Sequence, residues 1–249
     1  MNTARRIYLA FSLAITFSAC SSNASAEMFW AEHKFTSAKP PIHTACLMPS
    51  EAEIDKFGVK AVERMPRESD SWAVALDVLV EAHLRAVGIV IDTAADPLSS
   101  GASDNDIQQA IEQIQEKYNS LSHQLDKNPR AIDKGSYTLG DQVAMLPCAA
   151  NSDVLVLIRG AGAVPSGGRE AMGALAGTFV TQNAIVTITF ADAKTGEILA
   201  MTRFHNVGDF ITNWEDGLGG PLDTGLADLN LGSARKHESD RERSTPTEH

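Results

Sequence analysis

The chain has 249 residues, a formal net charge of −11 and 43% hydrophobic residues. This composition is that of a folded protein and excludes disordered and collagen-like chains. The sequence pI of about 5.0 argues against a nucleic-acid-binding protein, because neutralising phosphates requires an excess of Lys and Arg on one face. Aromatic residues make up 6% of the chain, which also disfavours a base-stacking surface.

The first nineteen residues have the pattern of a secretory signal peptide. Arg5 and Arg6 precede an apolar stretch that is too short to span a bilayer. Small residues then lead to Cys20, an arrangement that resembles the lipobox of bacterial lipoproteins. The resemblance implies cleavage before Cys20, lipidation of its thiol and anchoring through membrane lipid. Ser21 at the next position implies sorting to the outer membrane, so we expect a periplasmic protein held there by its N-terminus.

A second cleavage site competes with this one. Residues 24–26 form an A-x-A pattern, and cleavage after Ala26 would release a soluble protein that begins at Glu27. Residues 20–41 are mostly small and polar. If cleavage occurs before Cys20, they are predicted to form a flexible tether. Residues 232–249 contain almost no apolar side chains and are predicted to be disordered. One folded domain, residues 42–231, remains between the two.

Two cysteines remain after the signal peptide, Cys46 and Cys148. In an oxidising periplasm they could form a disulfide. Closing a loop of this length would stabilise the fold by roughly 4–5 kcal/mol in the chain-entropy model. The alternative is two buried free thiols that pack as small apolar side chains.

Periodic apolar residues predict the main elements. Stripes at three- and four-residue intervals predict helices at 69–86 and 104–125. Apolar runs predict strands at 43–48, 87–92 and 153–159, the last of them central in the sheet because it is the most hydrophobic.

The rest of the domain completes a mixed α/β fold. The further predictions are a short helix or irregular connection at 51–67, a third helix at 139–150, a hairpin of 178–191 with 197–206, and a last helix at 217–231. Gly196 is placed for a positive φ in the hairpin turn. Together these elements predict a sheet of about four to five strands that includes the long hairpin and is covered by three to four helices.

A glycine-rich segment follows the central strand. Such loops can bring backbone N–H groups close to a phosphate. Here Pro165 occupies the position where a dinucleotide fingerprint needs glycine, and Arg169 stands where a P-loop needs Lys. We therefore expect a mobile loop that binds a partner and no cofactor, with Arg169 contacting a carboxylate or phosphate of that partner. The residues assigned to this loop are Gly160, Gly162, Ser166, Gly167, Gly168 and Arg169.

The sequence contains no recognisable catalytic or metal-binding motif. No His or Cys pair has the spacing of metal ligands, and no G-x-S-x-G elbow is present. We therefore expect no metal and no catalytic residues. A triad whose members are distant in sequence stays open, so a secreted hydrolase is one alternative. A component of an oligomeric secretion assembly is the other.

The order of these features resembles a family. Cys20, the tether, the strand at 153–159 and a hairpin turn reading D-A-K-T-G-E are similar to small envelope lipoproteins with the fold of the Tol-Pal translocation protein B N-terminal domain. That group includes the curli secretion-channel lipoprotein and the lipoprotein activator of penicillin-binding proteins. The Ser166–Arg169 element with the hairpin also looks like a set of uncharacterised proteobacterial lipoproteins. The resemblance implies a non-catalytic adaptor that binds a protein of the cell envelope.

Overall fold

The computed structural model describes residues 26–31, 42–94, 104–135, 137–176, 182–207, 210–211, 218–219, 222 and 226. Cys20, most of the predicted tether and the predicted tail lie outside these residues. Within the described ranges, no helix is both long and apolar enough to cross a bilayer.

The fold is mixed α/β, as predicted, with more strands than expected. The strands are β1 Ala26–Ala31, β2 Thr44–Leu47, β3 Glu51–Phe57, β4 Val62–Arg64, β5 Val90–Thr93, β6 Val154–Pro165, β7 Asn183–Asp192 and β8 Ile198–Val207. The longer helices in the described residues are α1 Pro66–Ala86, α2 Asp104–Lys127 and α3 Gly167–Leu175, and short 3-10 helices cover Pro129–Lys134, Asp141–Met145 and Cys148–Asn151.

The strands form one sheet in the order β1-β8-β7-β6-β2-β5. Strands β2, β5 and β6 run parallel, while β7, β8 and β1 continue the sheet in antiparallel pairing. Strand β3 pairs in parallel with the C-terminal half of β6, beyond the end of β2, and β4 pairs with β3. Strand β6 is therefore central, as its hydrophobicity predicts.

Helices cover both faces of this sheet. The connection through α1 leads outward from β2 to β5, and the connection through α2 leads back from β5 to β6. Two right-handed crossovers that move in opposite directions must place their helices on opposite faces. Accordingly, Trp72 and Leu76 of α1 belong to one buried core, and Ile114 and Leu125 of α2 belong to the other.

The predicted hairpin is present as β7 and β8, joined by a short turn. The Asp192 carboxylate accepts hydrogen bonds from the amides of Lys194 and Thr195 at 2.9 and 2.7 Å and from the Thr195 hydroxyl at 3.0 Å. Gly196 has a φ of 69°, which confirms the prediction for this position. The Asp192 side chain thus fixes the turn, and Gly196 supplies the backbone conformation that other residues avoid.

The junction between β2 and β3 is held from both faces. The Asp77 carboxylate on α1 accepts from the amide and the hydroxyl of Ser50 at 3.0 and 2.5 Å. From the other face, the Gln115 side chain on α2 donates to the Pro49 carbonyl at 3.2 Å. Burial raises the pKa of the Asp77 carboxyl, and the Ser50 hydrogen bonds only partly oppose this effect.

The prediction of a helix or an irregular connection at 51–67 is wrong, because this segment contains β3 and β4. Ile54 is the one fully buried residue of β3, and its amide donates to the Ser69 hydroxyl at 2.9 Å. The alternate residues on the other face are charged, and Arg64 of β4 lies 2.6 Å from Glu53 and 3.6 Å from Asp55. A single buried apolar residue among charged residues gives no clear alternation in the sequence. The segment is a strand because β6 supplies its backbone hydrogen-bond partners.

Two further predictions need correction. The predicted tether 20–41 contains β1, which pairs with β8 and occupies the sheet edge that the hairpin alone would leave open. The predicted helix 139–150 is two 3-10 helices, interrupted near Pro147. Of the predicted last helix, residues 218–219, 222 and 226 are described and helical, and their leucines pack in the α1 core.

Candidate functional site

Cys46 and Cys148 form a disulfide with a Cα–Cα distance of 5.3 Å. Cys46 lies on β2 with its side chain toward the α2 core, and Cys148 begins the last 3-10 helix. Both are buried. Of the two alternatives that the sequence left open, the structure therefore contains the disulfide, which joins the central part of the sheet to the segment that precedes β6.

The predicted loop at 160–168 is wrong for most of its length, because β6 continues to Pro165. Gly160 and Gly162 are strand residues that face α1. A Cβ at Gly160 would lie 2.5 Å from the Trp72 ring, and one at Gly162 would lie 2.5 Å from the Phe210 ring. These glycines let two large rings pack directly on the backbone, so they serve the core and do not form a mobile loop.

The remaining residues of the predicted loop form the start of α3. The Ser166 hydroxyl caps the helix by accepting from the Arg169 amide at 3.3 Å. Gly167, Gly168 and Arg169 are exposed in the first turn of α3. Arg169 is accessible, and a docking role for it stays a prediction.

The structure shows a cavity of about 170 Å³ between α2 and the sheet, which the sequence did not reveal. Its walls come from α2 and from the three strands β6, β7 and β8. The lining residues are Tyr118, Ser122, His123, Leu125, Arg159, Ala161, Ile185, Thr187, Met201 and Arg203.

A row of polar residues crosses the sheet beside this cavity. Arg159 on β6 pairs in register with Thr187 on β7, and Thr187 pairs with Arg203 on β8. Since paired residues of neighbouring strands face the same side, all three side chains lie on the α2 face. The row begins with Glu51 on β3, the register partner of Arg159.

Hydrogen bonds hold both guanidinium groups in the cavity wall. The Arg159 Nη1 donates to the Ser122 hydroxyl, which in turn donates to the Asn119 carbonyl at 2.8 Å. The Arg203 Nε donates to the Thr187 hydroxyl at 3.3 Å. Arg159 is thus held by a residue of α2, and the Arg203 side chain points toward β7.

The acid beside Arg159 has a perturbed pKa. Burial raises the pKa of the Glu51 carboxyl, while a hydrogen bond from Asn119 and the positive charge of Arg159 lower it and the nearby Glu53 raises it, with a net rise. Asn119 Nδ2 donates to Glu51 at 3.3 Å, and among the described residues its buried Oδ1 has no hydrogen-bond partner. The cluster therefore contains an acceptor that the described part of the chain does not satisfy.

Apolar side chains also line the cavity, namely Leu125 of α2, Ile185 of β7 and Met201 of β8. The register places Ile185 and Met201 on either side of the row of Arg159, Thr187 and Arg203. The Tyr118 hydroxyl makes a 2.7 Å hydrogen bond to Thr189 below the cavity and so closes its inner end. A concave site lined by apolar side chains with a few polar groups is typical of binding sites for organic molecules.

The sequence carried a weak signal for this site. Arg159 continues the inward-facing series that begins with Leu155 and Leu157, and Arg203 follows Met201 in the same way. A cation at a core-facing position of a central strand is unusual and needs a partner or a ligand. Among the residues that the structure describes, no group of three His, Cys, Asp or Glu side chains is arranged to hold a metal ion.

Comparison with known proteins gives no family. No family model and no curated protein matches the chain. A PelC dodecamer from Paraburkholderia phytofirmans is similar over 81% of this chain and 94% of that chain, at 10% identity and a TM-score of 0.38. A putative neuraminyllactose-binding hemagglutinin homolog from Helicobacter pylori is similar over 82% and 90%, at 9% identity and a TM-score of 0.34. Likeness at these scores carries no argument about function.

Proposed function

We propose that the chain is a non-catalytic binding domain of the cell envelope, which holds a ligand in the cavity between α2 and the sheet. The observation that carries this proposal is a cavity crossed by the row of Arg159, Thr187 and Arg203 and lined on either side of that row by apolar residues. The row lies on paired strands of one sheet, so its geometry is fixed before any ligand arrives. A preformed concave site with a few placed polar groups is typical of ligand binding.

The hydrogen bonds at the cavity favour binding over hydrolysis. A hydroxyl nucleophile needs an adjacent base to take its proton. Ser122 instead gives its proton to the Asn119 carbonyl and accepts from Arg159. His123 is the next residue on the same helix, and neighbours in sequence do not face each other on a helix. These contacts support a structural role for Ser122.

The location in the envelope is part of the same proposal. Disulfides persist in oxidising compartments, and the Cys46–Cys148 bond supports export from the cytoplasm. The lipobox-like segment before Cys20 supports anchoring by lipid, and Ser21 supports the outer membrane. Two or three acyl chains would give stable attachment, since a single chain binds only marginally.

Native and intact mass spectrometry of the protein purified from membranes tests the proposal. We expect an acylated Cys20 and a bound ligand that is lost in Ala161→Phe, because the larger side chain enters the cavity. Ala171→Phe, at an exposed position of α3 outside the cavity, is the matched control and should keep the ligand. An unmodified N-terminus at Glu27 would contradict the anchor. The same occupancy in all three proteins would contradict binding in the cavity.

A further inference from the structure

We infer that the outer edge of β5, together with the adjoining face of α1, is a pairing surface for a second copy of this chain, and that Arg85 and Asp92 hold this surface closed. The inference is independent of ligand binding, because β5 lies at the end of the sheet and the cavity is lined by α2, β6, β7 and β8. Three properties support it: the backbone groups that the edge presents, the side chains that occupy two of these groups, and an apolar stripe on the adjoining helix.

Strand β5 is the last strand at one end of the sheet, and within the described residues it pairs with β2 alone. The Ala94 amide donates to Leu47 of β2 at 2.9 Å, and the Val90 amide donates to the residue before β2 at 2.8 Å. Successive residues of a strand direct their backbone groups to opposite sides, so the N–H and C=O groups of Ile91 and Thr93 point outward. An edge of this kind is a template for another strand.

The outward groups fit a second β5 in antiparallel orientation. When the Asp92 residues of the two copies lie opposite each other, Ile91 of each chain faces Thr93 of the other. Each of these two pairs then exchanges both of its N–H···O bonds, which is the hydrogen-bonded pair of an antiparallel ladder. A twofold axis at Asp92 therefore satisfies all the outward groups at once. Self-complementarity of this kind is what a symmetric dimer interface requires.

Side chains of the same chain occupy two of these outward groups. Arg85 Nη2 donates to the Ile91 carbonyl at 3.3 Å, and an ion pair with Glu81 at 2.8 Å holds the guanidinium in place. The Asp92 carboxylate accepts from the Thr93 amide at 2.9 Å. A second strand must displace both contacts, and it would set two Asp92 carboxylates opposite each other, which is unfavourable. Charged side chains thus close this edge, as they do at the edges of other natural sheets.

The face of α1 beside this edge is apolar. Val74 and Val78 are 63% and 57% exposed. They share one helical stripe with Arg85, at intervals of four and seven residues. Because Arg85 reaches the backbone of β5, this stripe lies next to the open edge. A second copy that pairs along β5 therefore brings its own valines against the stripe. Specific interfaces bury roughly 1,200–2,000 Å² in total, which a strand of four residues does not supply alone, so the helix face belongs to the same surface.

Sedimentation velocity of the purified full chain over a range of concentrations tests the inference. We expect the double variant Arg85→Ala, Asp92→Asn to dimerise with a dissociation constant lower than that of the wild type by about tenfold or more. The reason is that it frees the Ile91 carbonyl and removes the opposed charges. The control, Lys117→Ala with Glu116→Gln, removes one charge of each sign from exposed positions of α2 and should sediment as the wild type does.

Two further variants locate the dimer. Val78→Glu, added to the double variant, should return the dissociation constant to the wild-type value, because dimerisation would then bury a carboxylate in the apolar stripe. Asp92→Cys, added to Arg85→Ala, should form an intermolecular disulfide on a non-reducing gel. The Cα atoms of a non-hydrogen-bonded antiparallel pair lie about 4.5 Å apart, which a disulfide spans. Lys117→Cys with Arg85→Ala should stay uncrosslinked.

The contrary results are equally specific. An unchanged dissociation constant in the double variant would overturn the closure of the edge by Arg85 and Asp92. A dimer that persists with Val78→Glu, or an Asp92→Cys variant that does not crosslink, would overturn the location of the surface. Circular dichroism checks that each variant is folded. If the double variant does not fold, Asp92→Asn alone should still lower the dissociation constant, and no change there would overturn the role of the opposed carboxylates.

Discussion

Gly160 and Gly162 show how single residues determine the core on the α1 side. A side chain at either position would overlap an aromatic ring. Because glycine has none, the rings of Trp72 and Phe210 pack against the strand, with their centres 5.0 Å apart and their planes at 51°. The same glycines suggested a loop in the sequence, because glycine is frequent where the chain turns. Their role depends on residues far away in the chain, which local patterns do not include.

Substituting these glycines distinguishes the strand from a loop. Gly162→Ala should lower the free energy of unfolding by about 1–3 kcal/mol, because the new methyl group would overlap the Phe210 ring. Gly167→Ala is the control, since a Cβ there meets no atom within 4 Å, and it should be neutral or stabilising by up to about 1 kcal/mol. Urea unfolding measures both. Equal effects of the two substitutions would argue for a loop.

Asp153 fixes the start of β6 through its side chain. Its carboxylate accepts from the amides of His43 and Thr44 at 2.8 and 3.0 Å and from the Thr44 hydroxyl at 3.1 Å. Partial burial raises the pKa of this carboxyl, but the three hydrogen bonds outweigh burial and hold the pKa below its usual range. Ionised Asp153 therefore stabilises the junction of β2 with β6.

This interaction predicts a pH dependence. A carboxyl whose pKa is lower in the folded state contributes stability above its unfolded pKa, and the contribution is lost as the pH falls through the folded value. Asp153→Asn should therefore reduce the free energy of unfolding by about 1 kcal/mol at pH 7. The difference from the wild type should shrink below about pH 4. Urea titrations across this range measure it, and a constant difference would contradict the charge as its cause.

Helices and strands that depend on local sequence patterns were predicted more accurately than strands that depend on pairing with distant segments. The stripes of α1 and α2 and the alternation of β7 are local patterns, and these elements form within a few residues of the predicted bounds. Helix α1 begins earlier than predicted, at Pro66, because Ser69 is buried and bonds to β3 instead of capping the helix. Strand β3 was missed because the residues of this segment alone do not indicate that it pairs with β6.

The disulfide is the strongest single link between elements. Replacing Cys46 and Cys148 by alanine should lower the free energy of unfolding by about 2–5 kcal/mol, because the unfolded chain loses a cross-link between residues 102 positions apart. Denaturant unfolding with and without a reducing agent measures the effect. The reductant should destabilise the wild type and leave the double variant unchanged. Two reactive thiols in the unreduced, denatured wild type would contradict the bond.

At the scale of the whole molecule, the sheet separates two cores and also creates the site. Helix α2 covers the rows of the sheet that include Leu155 and Leu157, and the cavity lies where that cover ends. Ala161 and Ile185, which lie in the row beyond Arg159 and Thr187, are exposed. The cavity is therefore a consequence of how far a helix extends over a sheet, and no single segment encodes it.

Sequence patterns were sufficient to predict the fold class, the two long helices, the central strand, the hairpin with its turn and the pair of cysteines that could be joined. Each of these depends on residues close together in the chain or on residue type alone. The strand conformation of the glycine segment and the single row of Arg159, Thr187 and Arg203 became visible in the folded chain alone. Both depend on strand register, which brings distant residues together and which local periodicity does not specify.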